Sequence, residues 1–218
     1  MTRKKLKFED VFQFPLTKHK EFYRVALEGL RRAEAFKQLH DRRQRKKELT
    51  DVDTEYLGRM NGLIELASMV SVVFSALALE AFINHYASQR LSKSYFENYL
   101  DKLDLVSKWL VIPRLIHGNQ LESGSRAMNS PRWLVALRNS LVHYKSKVRK
   151  ISELDWRKDW VNIEDAVRSG DTVPILIHEL KKLDKKVGIE WLARDYDSWS
   201  PQDAANERPG SEAGLLWC

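Results

Sequence analysis

Cysteine is almost missing from these 218 residues: Cys218 is the only one. An internal disulfide framework and Cys-based zinc or iron–sulfur sites are thereby excluded, and a reducing compartment, the cytoplasm, is the expected location. Glycine and proline are sparse too, 9 and 6 residues, and most stand where a helix should stop. Long apolar runs are lacking. The most apolar stretch is Leu66 to Leu79, 14 residues between Glu65 and Glu80, whereas a bilayer needs about 20. It reads as a buried core helix, so no membrane partner is expected. The opening MTRKKLKFED is basic with no apolar stretch behind it, which is not the pattern of a signal peptide. The six histidines are scattered, with no His-x3-His and no carboxylate cluster, so neither metal nor cofactor is expected. Internal repeats and convincing strand patterns are absent as well.

What is present is charge and helical periodicity. Lys and Arg outnumber Asp and Glu by 37 to 30, a net charge of +7. That balance favours polyanionic partners, RNA, DNA or anionic lipid, without choosing among them. An apolar fraction of 43% fills one core, and 31% charged residues solvate its surface.

Helices are expected over most of the chain. The first spans Thr17 to Glu48, with Phe22, Ala26, Leu30 and Ala33 on one face. Its tail carries five basic residues in six positions: Arg42, Arg43, Arg45, Lys46 and Lys47. A run of this kind is ordinarily a solvated helix end, and its sharper reading is a patch that contacts RNA phosphates. The second helix, Thr54 to Leu91, has Thr50 or Asp53 as its cap and is apolar on nearly all sides, as the central helix of a bundle would be. A third runs from Ser94 to Ile112 and is broken by Pro113. Residues from His117 to Asn129 read as a loop. Ser130-Pro131 then opens a helix to Lys147, and Asp171 to Val187 forms another, with Pro174 in its first turn and Gly188 at its stop. After Ser200 periodicity is lost and the chain reads as a disordered tail.

The helix after Pro131 holds the chemistry. On a helical wheel Trp133, Leu134, Leu137, Leu141 and Tyr144 form one apolar stripe facing the core. Arg138, Asn139 and His143, with Val135 and Val142, lie on the other side. An imidazole titrates near neutrality, so it can take a proton from a ribose 2′-hydroxyl or return one to a leaving oxygen. A guanidinium forks onto phosphate oxygens and keeps its charge as negative charge develops. Asn139, one turn before His143, can orient the ring or the phosphate. An Arg and a His five residues apart also arise by chance, as surface decoration.

Leu137-Arg138-Asn139-Ser140-Leu141-Val142-His143 resembles the R-x4-6-H motif of HEPN domains, in which a polar residue, often Asn, follows the Arg. Ser75 to His85 is similar to the family's long core helix before the motif. Lys108 to Pro113 is similar to its intervening segment. The resemblance spans roughly residues 55 to 150. It implies an all-α, HEPN-like helical bundle over residues 54–150; the basic helical extension before it (1–53), the helical extension after it (151–199) and the tail (200–218) match nothing in the family. It also implies a two-fold homodimer with facing motifs. The implied activity is a metal-independent endoribonuclease that leaves a 2′,3′-cyclic phosphate, often as a toxin or anti-phage effector beside a protein antitoxin or regulator. Arg138, Asn139 and His143 would be catalytic. Glu80 and Asn84, with His85 nearby, would support the Arg from the central helix, although a plain salt bridge accounts for Glu80 equally well. A non-catalytic HEPN module for dimerisation or partner docking, and a basic helical nucleic-acid binder, are the alternatives. Tyr144 follows His143 directly, whereas one toxin branch has its Tyr two residues after the His, so no regulatory role is carried over to it.

Overall fold

Thr50 starts the longest helix in the molecule by a reciprocal bond. Its hydroxyl accepts from the Asp53 amide, and the Asp53 carboxylate accepts from the Thr50 amide, which satisfies two donors that a helix start leaves open. In the computed structural model, which describes residues 18–119, 121–143 and 160–192, the elements are α1 (His19–Gln44), α2 (Asp51–Ser88), α3 (Lys93–Tyr95), a π-helical turn (Phe96–Leu100), α4 (Leu105–His117), α5 (Arg126–Val142), α6 (Ile163–Leu183) and a 3-10 turn (Glu190–Leu192). Among the described residues every regular element is helical. The protein is all-α.

The centre is α2. Val72, Ala76, Ala78, Leu79 and Ile83 are fully enclosed, which a helix apolar on nearly all sides requires of its neighbours. By length and composition α2 could cross a bilayer, but just over half of its most apolar window is buried within the molecule, against α1, α4, α5 and α6. One core cluster joins Tyr23 of α1, Leu79 and Phe82 of α2, Trp109 and Ile112 of α4, Leu134 of α5 and Leu176 and Ile177 of α6. A smaller one, around Phe36, Met60 and Ile64, closes the other end of the α1–α2 pair. On α1 the buried face is Tyr23, Ala26, Leu30 and Ala33, and the expected Phe22 is half-buried at its edge against Phe74.

The two long helices touch closely at Gly29. A Cβ there would lie 2.8 Å from the Ala67 carbonyl oxygen and 2.9 Å from the Ser71 amide nitrogen. These are backbone atoms and cannot swing aside. Gly29→Ala gains up to about 1 kcal/mol of helix propensity, but overpacking costs about 1–3 kcal/mol. A lower urea midpoint is the expected result, and an unchanged or higher one would show that the helices can part at no cost.

Several expected boundaries are wrong, and the prolines explain most of them. Pro113 does not break α4; the helix continues to His117 and stops at Gly118, whose φ of 74° no side-chain-bearing residue adopts cheaply. The single helix expected from Ser94 is instead α3, the π turn and, after Asp104 as a fresh cap, α4. Pro131 lies inside α5, which Ser125 caps, so the expected loop from His117 to Asn129 is shorter at both ends. Pro174 sits in the middle of α6, which starts not at Asp171 but at Ile163 under an Asn162–Asp165 capping box, and which stops at Leu183, short of Val187. A proline leaves the carbonyl four residues earlier without its helical donor. For Pro174 that carbonyl is Gly170, and the buried Tyr23 hydroxyl of α1 donates to it at 3.5 Å. The α5 helix ends at Val142 rather than Lys147; residues 144–147, Tyr144 among them, lie outside the described residues. So do the tail expected after Ser200 and most of the segment 151–162.

Candidate functional site

The candidate centre is where α5 crosses α2 and α4. Arg138 Nη2 donates to Glu80 Oε2 at 3.4 Å, and Nη1 donates to Asn139 Oδ1 at 3.0 Å. Two neighbouring groups therefore fix the guanidinium while about a quarter of its side chain stays open to solvent. Glu80 has a second cation. Its Oε1 lies 3.9 Å from Nζ of Lys108, whose side chain is only 2% exposed and whose ammonium also approaches Asp101 at 4.0 Å. A buried ammonium is costly unless paired, so Lys108 holds Glu80 and Asp101 near it and leaves Glu80 shared between two cations. Lys108 was missed from sequence because it stands between Ser107 and Trp109 without any motif of its own. A lysine on the buried side of an amphipathic helix is its only trace.

The other expected residues divide. His143 is exposed and directly follows α5; its amide still donates to the Asn139 carbonyl at 2.9 Å, so the cap holds it one turn from Asn139. On the core side Leu134 is fully buried, while Trp133, Leu137 and Leu141 are half-buried against the main cluster. Val135 was expected on the catalytic side but also packs on that cluster, and Val142 is exposed as expected. Asn84 carries a buried Oδ1 with no hydrogen-bond partner among the described residues, so it is not seen to support Arg138. His85 does not join this centre: it stacks on His19 of α1 at 5.5 Å.

The basic run is not the tail of a continuous helix. Arg43 and Lys46 both reach across the α1–α2 bend to the Asp53 carboxylate, Lys46 at 2.9 Å, and Arg43 also covers the Tyr56 ring. The Lys46 ammonium, with the Thr50 amide and hydroxyl, holds the Asp53 carboxyl well below the usual carboxylate range. Two of the five cations thus clamp a turn. Arg42, Arg45 and Lys47 are the ones left exposed for a polyanion.

A second polar cluster had no signal in the sequence. Tyr86 donates to Asp184 at 3.2 Å, Arg90 donates to the same carboxylate oxygen at 2.7 Å, and His117 Nε2 lies 2.6 Å from the Tyr86 hydroxyl. Burial pushes the Tyr86 phenol up, and the Asp184 charge adds to it. For Asp184 burial acts upward too, but the Lys186 amide and Arg90 outweigh it and leave the carboxyl low. These four side chains tie the ends of α2, α4 and α6 together.

Burial, then His85 and Lys20, lowers the His19 imidazole from 6.5 to about 4. A group whose folded pKa is depressed binds its proton more readily in the unfolded chain. Stability from neutral His19 is therefore complete above pH 6.5 and lost as pH falls toward 4. The loss should reach at most about 3 kcal/mol. Thermal melts between these pH values should slope steeply in the native chain and much less in His19→Gln; equal slopes would refute the assignment.

With this geometry in view, the fold and site define an all-α protein with a surface Arg–Asn pair anchored to its central helix. No family model, curated protein or solved structure matches the chain.

Proposed function

We propose that the chain is a HEPN-type, metal-independent endoribonuclease of the cytoplasm, acting as a toxin or anti-phage effector, in which Arg138, Asn139 and His143 act on RNA. The observation that carries this reading is the bond from Arg138 to Glu80. It anchors the motif arginine to a carboxylate of the long central helix, the support that the family resemblance implies, with about a quarter of the arginine side chain open to solvent. In the proposed reaction the His143 imidazole takes the 2′-hydroxyl proton, and the 2′-oxygen attacks the adjacent phosphorus. The bond to the 5′-oxygen breaks, and that oxygen receives a proton as it leaves. Arg138 offsets the charge that builds on the phosphoryl oxygens. Asn139 holds the guanidinium plane. The substrate is RNA because only RNA supplies the hydroxyl.

A second reading, a non-catalytic HEPN module for dimerisation or partner docking, is favoured by one specific feature. Glu80 and Asn139 already occupy part of the Arg138 fork, which leaves fewer donors for phosphate. The two readings part on turnover. Purified protein in EDTA should cleave RNA, leave DNA intact and yield 2′,3′-cyclic ends; loss of cleavage in EDTA would reject the metal-independent route. Both readings expect a homodimer, which light scattering would report as twice the 25.5 kDa chain.

A further inference from the structure

Away from Arg138 and Lys108, neither of which lines it, a cavity of about 320 Å³ opens between the start of α1, the end of α2 and the segment after α6. That volume lies at the lower end of small-molecule sites. Flat rings form much of its wall. The His19 and His85 imidazoles stack 24° from parallel, Phe82 meets His19 edge-on at 5.3 Å, and Trp191 meets His19 at 4.8 Å. The Trp191 ring is fixed in place because its Nε1–H donates to the Gly188 carbonyl at 3.1 Å.

The rim is cationic. Lys20 and Lys186 are exposed, and Arg90 stands beside them with its charge met by Asp184. Among the described residues Glu190 is the single carboxylate lining the cavity. Two lysines against one glutamate leave an excess of positive charge over a ring-lined interior, which disfavours organic cations and attracts anions. Buried among these rings, His19 backs the wall and, being neutral near pH 7, adds no charge to it, while His85 and Trp191 are the half-buried rings that reach the cavity. Rings in the wall favour a flat, unsaturated body that can lie against them edge-on or offset.

We propose that this cavity binds a small aromatic anion, its ring against the His19–His85–Trp191 wall and its acidic group between Lys20 and Lys186. The carboxylate or phosphate identity of that group is set by experiment, since two flexible ammonium groups accept either. The site is independent of the ribonuclease reading.

The test uses the full chain and indole-3-acetate, phenyl phosphate, indole alone and acetate alone, followed by calorimetry and by NMR shifts of the His19, His85 and Trp191 ring N–H signals. One of the two ring-bearing anions should bind at submillimolar concentration and move those signals, with indole and acetate each at least about tenfold weaker. The pair Lys20→Ala with Lys186→Ala, at exposed positions that leave the fold intact, should weaken that anion by at least about tenfold, and Arg138→Ala should not change it. Three results would overturn the proposal: no binding of either anion at millimolar concentration, indole binding as well as the anions, or affinity that ignores the two lysines.

Discussion

Arg138→Ala should reduce RNA cleavage by about two to three orders of magnitude, the usual loss when one donor aimed at developing charge is removed. Stability should change little. The Arg138–Glu80 pair is partly solvent-exposed on both sides, and such pairs contribute about 0–1 kcal/mol. Lys108 remains beside Glu80, so the carboxylate is not left without a cation. Arg138→Lys should rescue little, because a single ammonium cannot bond Glu80 and Asn139 and still present a fork to phosphate. His143→Ala should be at least as damaging to turnover and still milder for the fold. Its side chain is exposed, and the amide that caps α5 on the Asn139 carbonyl is backbone. Cleavage per folded molecule that survives His143→Ala would hand the site to the docking reading.

How far the sequence could be read depended on whether a feature is local. The capping box at Thr50 and Asp53 is written in four consecutive residues, so a cap at one or the other is legible, although the helix starts at Asp51 rather than Thr54. The centrality of α2 was legible because a helix apolar on every side has only one place to go. The three prolines misled because helix propensity is a local cost that packing can offset. At Pro174 the offset is visible in the Tyr23 hydroxyl, 147 residues-apart in sequence from the carbonyl it serves. In the candidate site the helical spacing of Arg138 and Asn139 was legible, and so was the link from Arg138 to Glu80 through the family resemblance, whereas His143, expected inside the helix, directly follows its end. Lys108 was not legible, because its one local trace, a lysine on the buried side of an amphipathic helix, does not say which carboxylates it meets. The cavity beside His19 was not legible either: His19, His85 and Trp191 come from three distant segments, and only the folded bundle brings their rings together.

Trp109→Ala should destabilise the fold by about 3–5 kcal/mol, the cost of emptying a large aromatic site in a packed core. The indole is fully buried in the main cluster and stacks on Phe82 at 5.9 Å, 12° from parallel. Since a domain of this kind is held by about 5–15 kcal/mol, the variant should be close to unfolding at moderate temperature. Trp109→Phe separates volume from polarity. The indole Nε1 is buried with no hydrogen-bond partner among the described residues, so phenylalanine loses no hydrogen bond and removes a desolvated N–H that costs about 1–3 kcal/mol to bury. Phenylalanine keeps most of the ring contact with Phe82 and leaves only a small void, so its urea midpoint should stay much nearer the native value than that of alanine. A phenylalanine variant as unstable as the alanine one would mean that the indole nitrogen holds a bond, to water or to another part of the chain, that the core depends on.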